Sequence, residues 1–246
     1  MKYSLIIPAW NEADFLPLTL RAVTATMQQV ASESAHRGEL IVVDNNSTDN
    51  TADIAREQGA IVVFEAINQI ARARNRGASA ATAEALVFLD ADSQCTAALL
   101  LHVLDLLEAG NTVGGGSLIQ PDKPITGAAL RALKLWNWIA RTANYAAGCF
   151  VYCRKDAFDE VGGFNTRVYA GEEIYLSRAL KKRGRRYSQQ FHIATVSPVV
   201  TSVRKLDWYT PMQIVRQALL VLIPGALYSK RLCRTWYDKS SARDKR

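Results

Sequence analysis

Four short apolar runs rich in Val and Ile recur in the first 90 residues, and they limit the fold more than any other feature. They read SLIIP, ELIVVD, AIVVFE and ALVFLD, at residues 4–8, 39–44, 60–65 and 85–90. Such runs are typical of strands covered on both faces, as in a parallel sheet. Helical patterns separate them, at residues 12–31, 51–58 and 68–84. The order β-α-β-α-β-α-β predicts an α/β domain whose mostly parallel sheet is flanked by helices, with right-handed crossovers.

The second half of the chain alternates less regularly. We expect strands at 114–124 and 147–155, helices around Trp136 and at 172–183, and further strand material up to Val203. Residues 207–228 predict a final amphipathic helix. We therefore expect a main α/β domain at 1–205, and a C-terminal amphipathic helix with a basic tail at 206–246.

Positive charge is concentrated at the end of the chain. Residues 178–246 carry 16 Lys and Arg against three Asp, in a chain of formal charge +7. This asymmetry favours a polyanionic partner, such as membrane phosphates, nucleic acid or a pyrophosphate. The sequence has no RNA-binding or helix-turn-helix signature, so nucleic acid is not the expected partner.

Cysteine usage and hydropathy indicate a compartment. The four cysteines lack the paired CxxC spacing of a zinc site and are too few for a disulfide scaffold, which favours a reducing environment. Pro8 interrupts the first apolar run before a signal sequence forms, and the run at 218–228 is shorter than the roughly 20 residues that cross a bilayer. We expect a cytoplasmic protein, peripheral on the inner face of a membrane.

Two aspartates, Asp90 and Asp92, directly follow the fourth apolar run. Ligands of open α/β sheets bind beyond the carboxyl ends of strands, so this pair and Asp44, which ends the second run, should share one edge. Neighbouring carboxylates raise each other's pKa unless a cation neutralises them. The D-x-D spacing suits Mg²⁺ or Mn²⁺, with substrate phosphates as further ligands. The alternative is structural, with Asp92 capping a helix that begins near Thr96.

Six segments, in order, resemble the successive signatures of family 2 glycosyltransferases. They are SLIIPAWNE, IVVDNNSTDNT, ARARNRGA, LVFLDADS, VGGFN and AGEEIYLSRALKKRG. The likeness runs from about residue 3 to residue 184. It implies the GT-A (Rossmann-like) fold, a nucleotide-diphosphate sugar donor carrying UDP or GDP, a divalent metal and inversion at the anomeric carbon.

The resemblance also implies the residues of the donor site. Those expected to bind the nucleotide sugar are Pro8, Ala9, Glu12, Asp44, Arg74 and Asp90. Beyond the resemblance, the cations Arg204 and Lys205 are expected to bind the diphosphate if their segment folds back over the site. Structural alternatives exist for several: Glu12 at a helix N-terminus, Asp44 capping the turn NNSTDN, and Arg74 on a solvated helix face. His192 is expected to join Asp90 and Asp92 as a metal ligand, although a lone His on a strand is more often structural.

The predicted catalytic group is a carboxylate. Inverting transfer needs a base that deprotonates the acceptor hydroxyl, and the family has a Glu-Asp pair at a helix start whose second acid is this base. This chain has Glu172 and Glu173 there. Glu173 is the candidate base and Glu172 the second choice, since the longer side chain shifts the carboxylate by more than about an ångström. The alternative is a pair of acids that compensates the helix dipole.

The acceptor is expected near Trp136, Trp138 and Tyr145, where this fold usually builds its acceptor pocket, unless these side chains belong to the core. The C-terminal segment combines basic, aromatic and aliphatic residues, as interfacial helices do. A membrane surface and a lipid-linked glycan acceptor are therefore expected, against the alternative of a helix packed on the main domain.

Two other functions compete with glycosyl transfer. A nucleotidyltransferase shares a related fold and uses metal, but PAWNEADF stands where its Gly-rich phosphate loop would be. A non-catalytic protein that binds sugar nucleotides or polyanions would suit the basic C-terminal third, yet it would need neither the aspartate pair nor Glu173.

Overall fold

The computed structural model describes residues 1–204, 226–229 and 232–233. Its strands are β1 (Lys2–Ala9), β2 (Arg37–Asp44), β3 (Ile61–Phe64), β4 (Ala85–Leu89), β5 (Ser93–Gln94), β6 (Thr112–Pro121), β7 (Phe150–Arg154) and β8 (Gln190–Thr201). They form one sheet in the order β3-β2-β1-β4-β7-β6-β8-β5. Strand β7 is antiparallel to β4 and β6, β5 is antiparallel to β8, and the remaining pairs are parallel. The predicted mostly parallel sheet is confirmed.

Helices cover both faces of this sheet. They are α1 (Leu16–Glu33), α2 (Thr51–Glu57), α3 (Ile70–Ala80), α4 (Ala97–Glu108), α5 (Gly127–Ala143), α6 (Lys155–Glu160) and α7 (Glu172–Arg186). Alternate residues of β1 enter two separate cores: Leu5 and Ile7 pack with α1 and α4, whereas Ile6 packs with α3. This two-sided burial explains why the strand sequences are uninterrupted apolar runs.

Two local features position the elements around the site. The side chain of Thr96 caps α4 by accepting a hydrogen bond from Leu99 N at 3.1 Å, so the expectation that Asp92 caps this helix is wrong. On α3, a Cβ at Gly77 would lie 2.3 Å from Cγ2 of Ile6, so only glycine permits this close approach of helix and sheet. The approach holds α3 close to the sheet, and Arg74, three residues before Gly77, reaches Asp90 at the end of β4.

The predicted C-terminal helix, Lys205 and the basic tail lie largely outside the described residues. A 3-10 turn, Ala226–Tyr228, is described. Leu227 packs with Val168 and Ala170, and its carbonyl accepts a hydrogen bond of 2.7 Å from Tyr169 N. Part of the C-terminal segment 206–246, which the sequence separates from the main domain, therefore contacts that domain. Among the described helices, none combines the length and apolar character that crossing a bilayer requires.

Candidate active site

The carboxyl ends of three adjacent parallel strands bring the expected donor-site residues to one edge of the sheet. Ala9 at the end of β1 stands beside Asp44 at the end of β2. Strand β4 runs parallel to β1 on its other side and leads directly into Asp90. The shared edge predicted from the sequence is confirmed. Pro8 lies one residue earlier, paired with Val43.

Asp44 and Glu12 both have structural partners at this edge. The Asp44 carboxylate accepts a hydrogen bond of 3.0 Å from Ser47 N, so it does cap the turn after β2. Glu12 is buried, and its backbone N–H donates to Thr51 Oγ1 at 2.9 Å. Its carboxylate accepts a hydrogen bond of 2.8 Å from Arg204 Nη2. Capping and ligand binding are compatible, because a carboxylate has two oxygens.

Arg204 connects distant segments of the chain at the site. Besides Glu12, it contacts Asp92, with Nη2 3.0 Å from Oδ2, and its guanidinium lies 4.2 Å from the centre of the Phe15 ring. The Arg204 guanidinium thus lies between the carboxylates of Glu12 and Asp92. Asp90 and Asp92 offer the hard oxygen donors that Mg²⁺ and Mn²⁺ prefer, and the position already accommodates a cation. These residues fit a divalent metal.

Arg74 is enclosed between acidic groups. It is 1% exposed, and it donates hydrogen bonds to Glu172 at 2.6 Å, to Asp90 at 2.8 Å and to the carbonyl of Gly148 at 2.7 Å. Burial opposes its charge, but Asp90 and Glu172 outweigh this and raise the pKa of the guanidinium. The structure therefore shows Arg74 as a bridge between the end of β4 and the start of α7.

The two acids at the start of α7 have different surroundings. Glu172 is buried against Arg74. Glu173 borders a cavity, where burial, and then the charge of Glu172, raises its pKa to about 8. A Cβ built on Gly148 would lie 3.4 Å from Arg74 Nη2 and 3.6 Å from the carboxyl carbon of Glu173, so these groups converge. Of the two acids, Glu173 has the properties of a proton acceptor near neutral pH.

The cavity has a volume of about 520 Å³. Its walls are apolar except for a few charged groups, as in many small-molecule sites. The lining includes Arg74, Asp90, Trp136, Gly148, Glu172 and Glu173. Trp136 thus lies where the acceptor was expected, and its buried indole nitrogen has no hydrogen-bond partner within the described residues.

Two expected acceptor residues are not brought to the cavity lining. Trp138 is 60% exposed on the opposite face of α5. Tyr145 packs under cations, with Lys181 Nζ 3.8 Å from its ring centre and Arg178 Nε donating to its hydroxyl at 3.2 Å. Residues two positions apart on a helix face different directions, so helix geometry alone separates Trp136 from Trp138.

His192 lies away from the aspartates. On β8 it pairs with Gly115 of β6, and the same row of the sheet continues through Tyr152 of β7 to Val87 of β4. Val87 lies three residues before Asp90. Three residues of strand span about 10 Å. Its ring centre lies 5.9 Å from that of His102, and burial lowers its pKa. The structure does not bring His192 to Asp90 and Asp92 as a metal ligand.

A family model described as glycosyl transferase family 2 matches residues 4–162. This segment contains the strand-edge residues, the aspartate pair and Arg74, whereas Glu172 and Glu173 follow it. The chain belongs to glycosyl transferase family 2.

Family relatives and solved structures agree with this assignment. An uncharacterized glycosyltransferase of Mycobacterium tuberculosis is 31% identical over 141 residues, which is 57% of this chain and 55% of that protein. An undecaprenyl-phosphate 4-deoxy-4-formamido-L-arabinose transferase of Pseudomonas fluorescens is 38% identical over 103 residues, covering 37% of this chain and 28% of that one. The chain thus matches about half the length of the first relative and less of the second.

The fold matches a solved mannosyltransferase of Pyrobaculum calidifontis, in complex with GDP-Man and Mn²⁺. The TM-score is 0.65 at 19% identity, over 95% of this chain and 68% of that one. The likeness establishes that this family 2 chain has the GT-A fold.

Sequence reasoning missed two amides that anchor the segment leading to α7. Gln69 directly precedes α3, and its Nε2 donates to the carbonyls of Thr166 and Val168 at 2.8 and 2.9 Å. Asn75 exchanges two hydrogen bonds of 2.9 Å with the backbone of Phe164. Their partners lie 97 and 89 residues further along the chain, so no local pattern in the sequence indicates these contacts.

Proposed function

We propose that the protein is an inverting, metal-dependent glycosyltransferase that moves a sugar from a UDP- or GDP-linked donor to an acceptor hydroxyl. One observation carries the proposal: Asp90, at the edge expected to hold the donor, and Glu173, with its raised pKa, border the same cavity. A donor diphosphate on one side and an acceptor on the other would meet there. Membership of family 2 and the nucleotide-sugar complex of the P. calidifontis protein support this reading.

Glu173 takes the proton of the acceptor hydroxyl as that oxygen attacks the anomeric carbon. The bond from this carbon to the diphosphate breaks, and its electron pair leaves with the nucleotide. Attack opposite the leaving group inverts the anomeric centre. Arg74 donates hydrogen bonds to Glu172 and Asp90, so that Glu173 is left to accept the proton.

Asp90 and Asp92 would hold the divalent ion, and the ion would neutralise charge on the departing diphosphate. Glu12, Ala9 and Asp44 would line the nucleoside pocket. Arg204, with Lys205, would turn from its carboxylate partners toward the diphosphate. Such an exchange is electrostatically reasonable because the incoming metal would replace the guanidinium charge beside Asp92.

For the acceptor we propose a lipid-linked glycan or lipid phosphate at the cytoplasmic face of a membrane. The named activity of the P. fluorescens relative involves undecaprenyl phosphate, and the cavity walls are largely apolar. Trp136 would donate its indole N–H to an oxygen of the bound sugar or acceptor, since that donor is buried without a partner in the described part of the chain.

Calorimetric titration tests the donor site. UDP, GDP and their sugar conjugates are titrated with and without Mn²⁺ into the wild type, Asp92→Ala and Asp53→Ala. Asp53 is an exposed control that pairs with Arg56 at 2.7 Å. We expect metal-dependent binding of one nucleotide that Asp92→Ala abolishes and Asp53→Ala preserves. Nucleotide binding that neither depends on Mn²⁺ nor changes in Asp92→Ala contradicts the proposal, and so does the absence of binding.

A further inference from the structure

Helix α5 separates the cavity from the outside and has two dissimilar faces. Ala132, Leu133 and Trp136 line the cavity. Asn137 fastens the helix by exchanging hydrogen bonds of 2.9 and 3.0 Å with the backbone of Ile119. On the outer side, Leu135 is 57% exposed. The exposed apolar side chain of Leu135 is therefore distinct from the α5 side chains that line the cavity.

The outer face combines large apolar side chains with positive charge only. Arg131, Leu135 and Trp138 follow one another at spacings of four and three residues, so they share one side of the helix. Lys134 and Arg141 are exposed beside them, and residues 127–143 contain no Asp or Glu. An ordinary solvated helix face does not place a 60% exposed Trp and a 57% exposed Leu among three cations.

We propose that this outer face of α5, consisting of Arg131, Lys134, Leu135, Trp138 and Arg141, docks on an anionic lipid surface. Trp and Leu enter the boundary between headgroups and acyl chains, and the cations contact lipid phosphates. Charge decides the occupant. The cationic face complements an anionic leaflet, whereas residues 205–225 of the same chain carry Lys205 and Arg216 against Asp207 and offer no excess of negative charge.

Docking through α5 brings the cavity to the membrane. Because the inner face of the same helix lines the cavity, the cavity wall lies one helix diameter, about 10 Å, from the lipid. An acceptor with a lipid part would then reach Glu173 without leaving the bilayer surface. This link to the acceptor rests on the proposed function, whereas the docking surface stands independently of it.

Co-sedimentation with phosphatidylcholine vesicles, with and without phosphatidylglycerol, tests the docking surface. Leu135→Ser/Trp138→Ser removes the apolar part, and Arg131→Gln/Lys134→Gln/Arg141→Gln removes the charge. Leu18→Ser/Phe64→Ser is the matched control, since these side chains are 59% and 55% exposed elsewhere. We expect binding that needs phosphatidylglycerol and weakens with salt. It should fall at least about tenfold in the apolar variant and about a hundredfold in the charge variant, but not in the control.

A fluorescent label tests whether α5 itself contacts lipid. Trp138→Cys accepts an environment-sensitive label selectively because the four native cysteines are buried. Leu18→Cys is the control. We expect a blue shift on adding anionic vesicles only for the label at position 138. Vesicle binding without this shift, an emission already blue-shifted without vesicles, or equal binding of all variants overturns the proposal.

Nucleotide titration of the same variants separates this proposal from the proposed function. The outer face of α5 does not line the cavity, so these variants should bind nucleotide as the wild type does. Vesicle binding without nucleotide binding leaves the docking surface intact and contradicts only the enzymatic proposal.

Discussion

Glu172 accepts a 2.6 Å hydrogen bond from Arg74, a residue 98 positions earlier in the chain. This contact makes two adjacent acids chemically different, because Glu172 is ion-paired with Arg74, whereas burial and the charge of Glu172 raise the pKa of Glu173. A carboxylate that already accepts from a guanidinium is a poor proton acceptor. The contact thus favours Glu173 as the base over Glu172.

Replacing each acid with its amide should separate these roles. Glu173→Gln should lower kcat by about 10²–10⁴ while preserving nucleotide affinity, since only the proton acceptor is lost. Glu172→Gln weakens a buried charge-assisted hydrogen bond, which costs about 2 kcal/mol, or about 4 °C or more in melting temperature. Turnover and differential scanning fluorimetry measure both effects. An active Glu173→Gln beside an inactive, fully stable Glu172→Gln would assign the base to Glu172.

The pH dependence of turnover follows from the raised pKa of Glu173. The base works only when deprotonated, so kcat/KM should increase with pH and reach its plateau only above about 8. Burial and the charge of Glu172 cause the shift, so the increase should begin well above the usual range of a carboxyl group. Initial rates measured from about pH 5.5 to about pH 9.5 test this prediction, because this range brackets the shifted pKa. A flat profile contradicts the prediction.

The raised pKa of Glu173 also affects stability, which should decrease over the pH range in which turnover increases. Between the ordinary carboxyl pKa and about 8, the folded protein keeps a proton on Glu173 that the unfolded chain has already lost. The folded state binds more protons in this window, so the stability contributed by this group decreases as pH increases. Glu173→Gln removes the effect. Its melting temperature relative to the wild type should therefore increase from acidic to alkaline pH, and a constant difference between the two proteins would refute the shift.

The local elements of the fold were predictable from the sequence because they depend on short patterns. Runs predicted at 4–8, 39–44 and 85–90 occur as β1, β2 and β4 within a few residues. Their carboxyl ends share an edge because parallel pairing follows from the β-α-β order. The position of Asp44 and Asp90 at the same edge of the sheet, at the ends of strands on either side of β1, needed no more information than this.

Contacts between distant segments were not predictable in the same way. The resemblance implied that Arg74 lies near the nucleobase and phosphates of the donor. The spacing of residues in the sequence does not indicate that Arg74 contacts Glu172. The position of His192 depends on the register of β8 against β6, which neither sequence reveals alone. The exposure of Trp138, by contrast, follows from helix periodicity once α5 is recognised.

Gln69 should act as a positioning residue for the base. Its side-chain amide donates to the carbonyls of Thr166 and Val168, three residues or more before the Gly171 turn that starts α7. Gln69→Leu removes both hydrogen bonds and leaves two carbonyls without these partners, which costs about 1–3 kcal/mol. Because a displacement of about 1 Å near the chemistry lowers rates by about 10²-fold, kcat should fall at least about tenfold while the donor Kd changes little.

Steady-state kinetics and nucleotide titration of Gln69→Leu measure this effect, with Gln28→Leu on the exposed face of α1 as the matched control. A purely structural role would lower the melting temperature of Gln69→Leu yet leave kcat unchanged at temperatures where the variant is folded. Gln69→Glu keeps the length and shape of the side chain but loses the amide donor. Its kcat should therefore resemble that of Gln69→Leu and not that of the wild type. Wild-type kcat in both Gln69 variants would show that the two hydrogen bonds do not position Glu173.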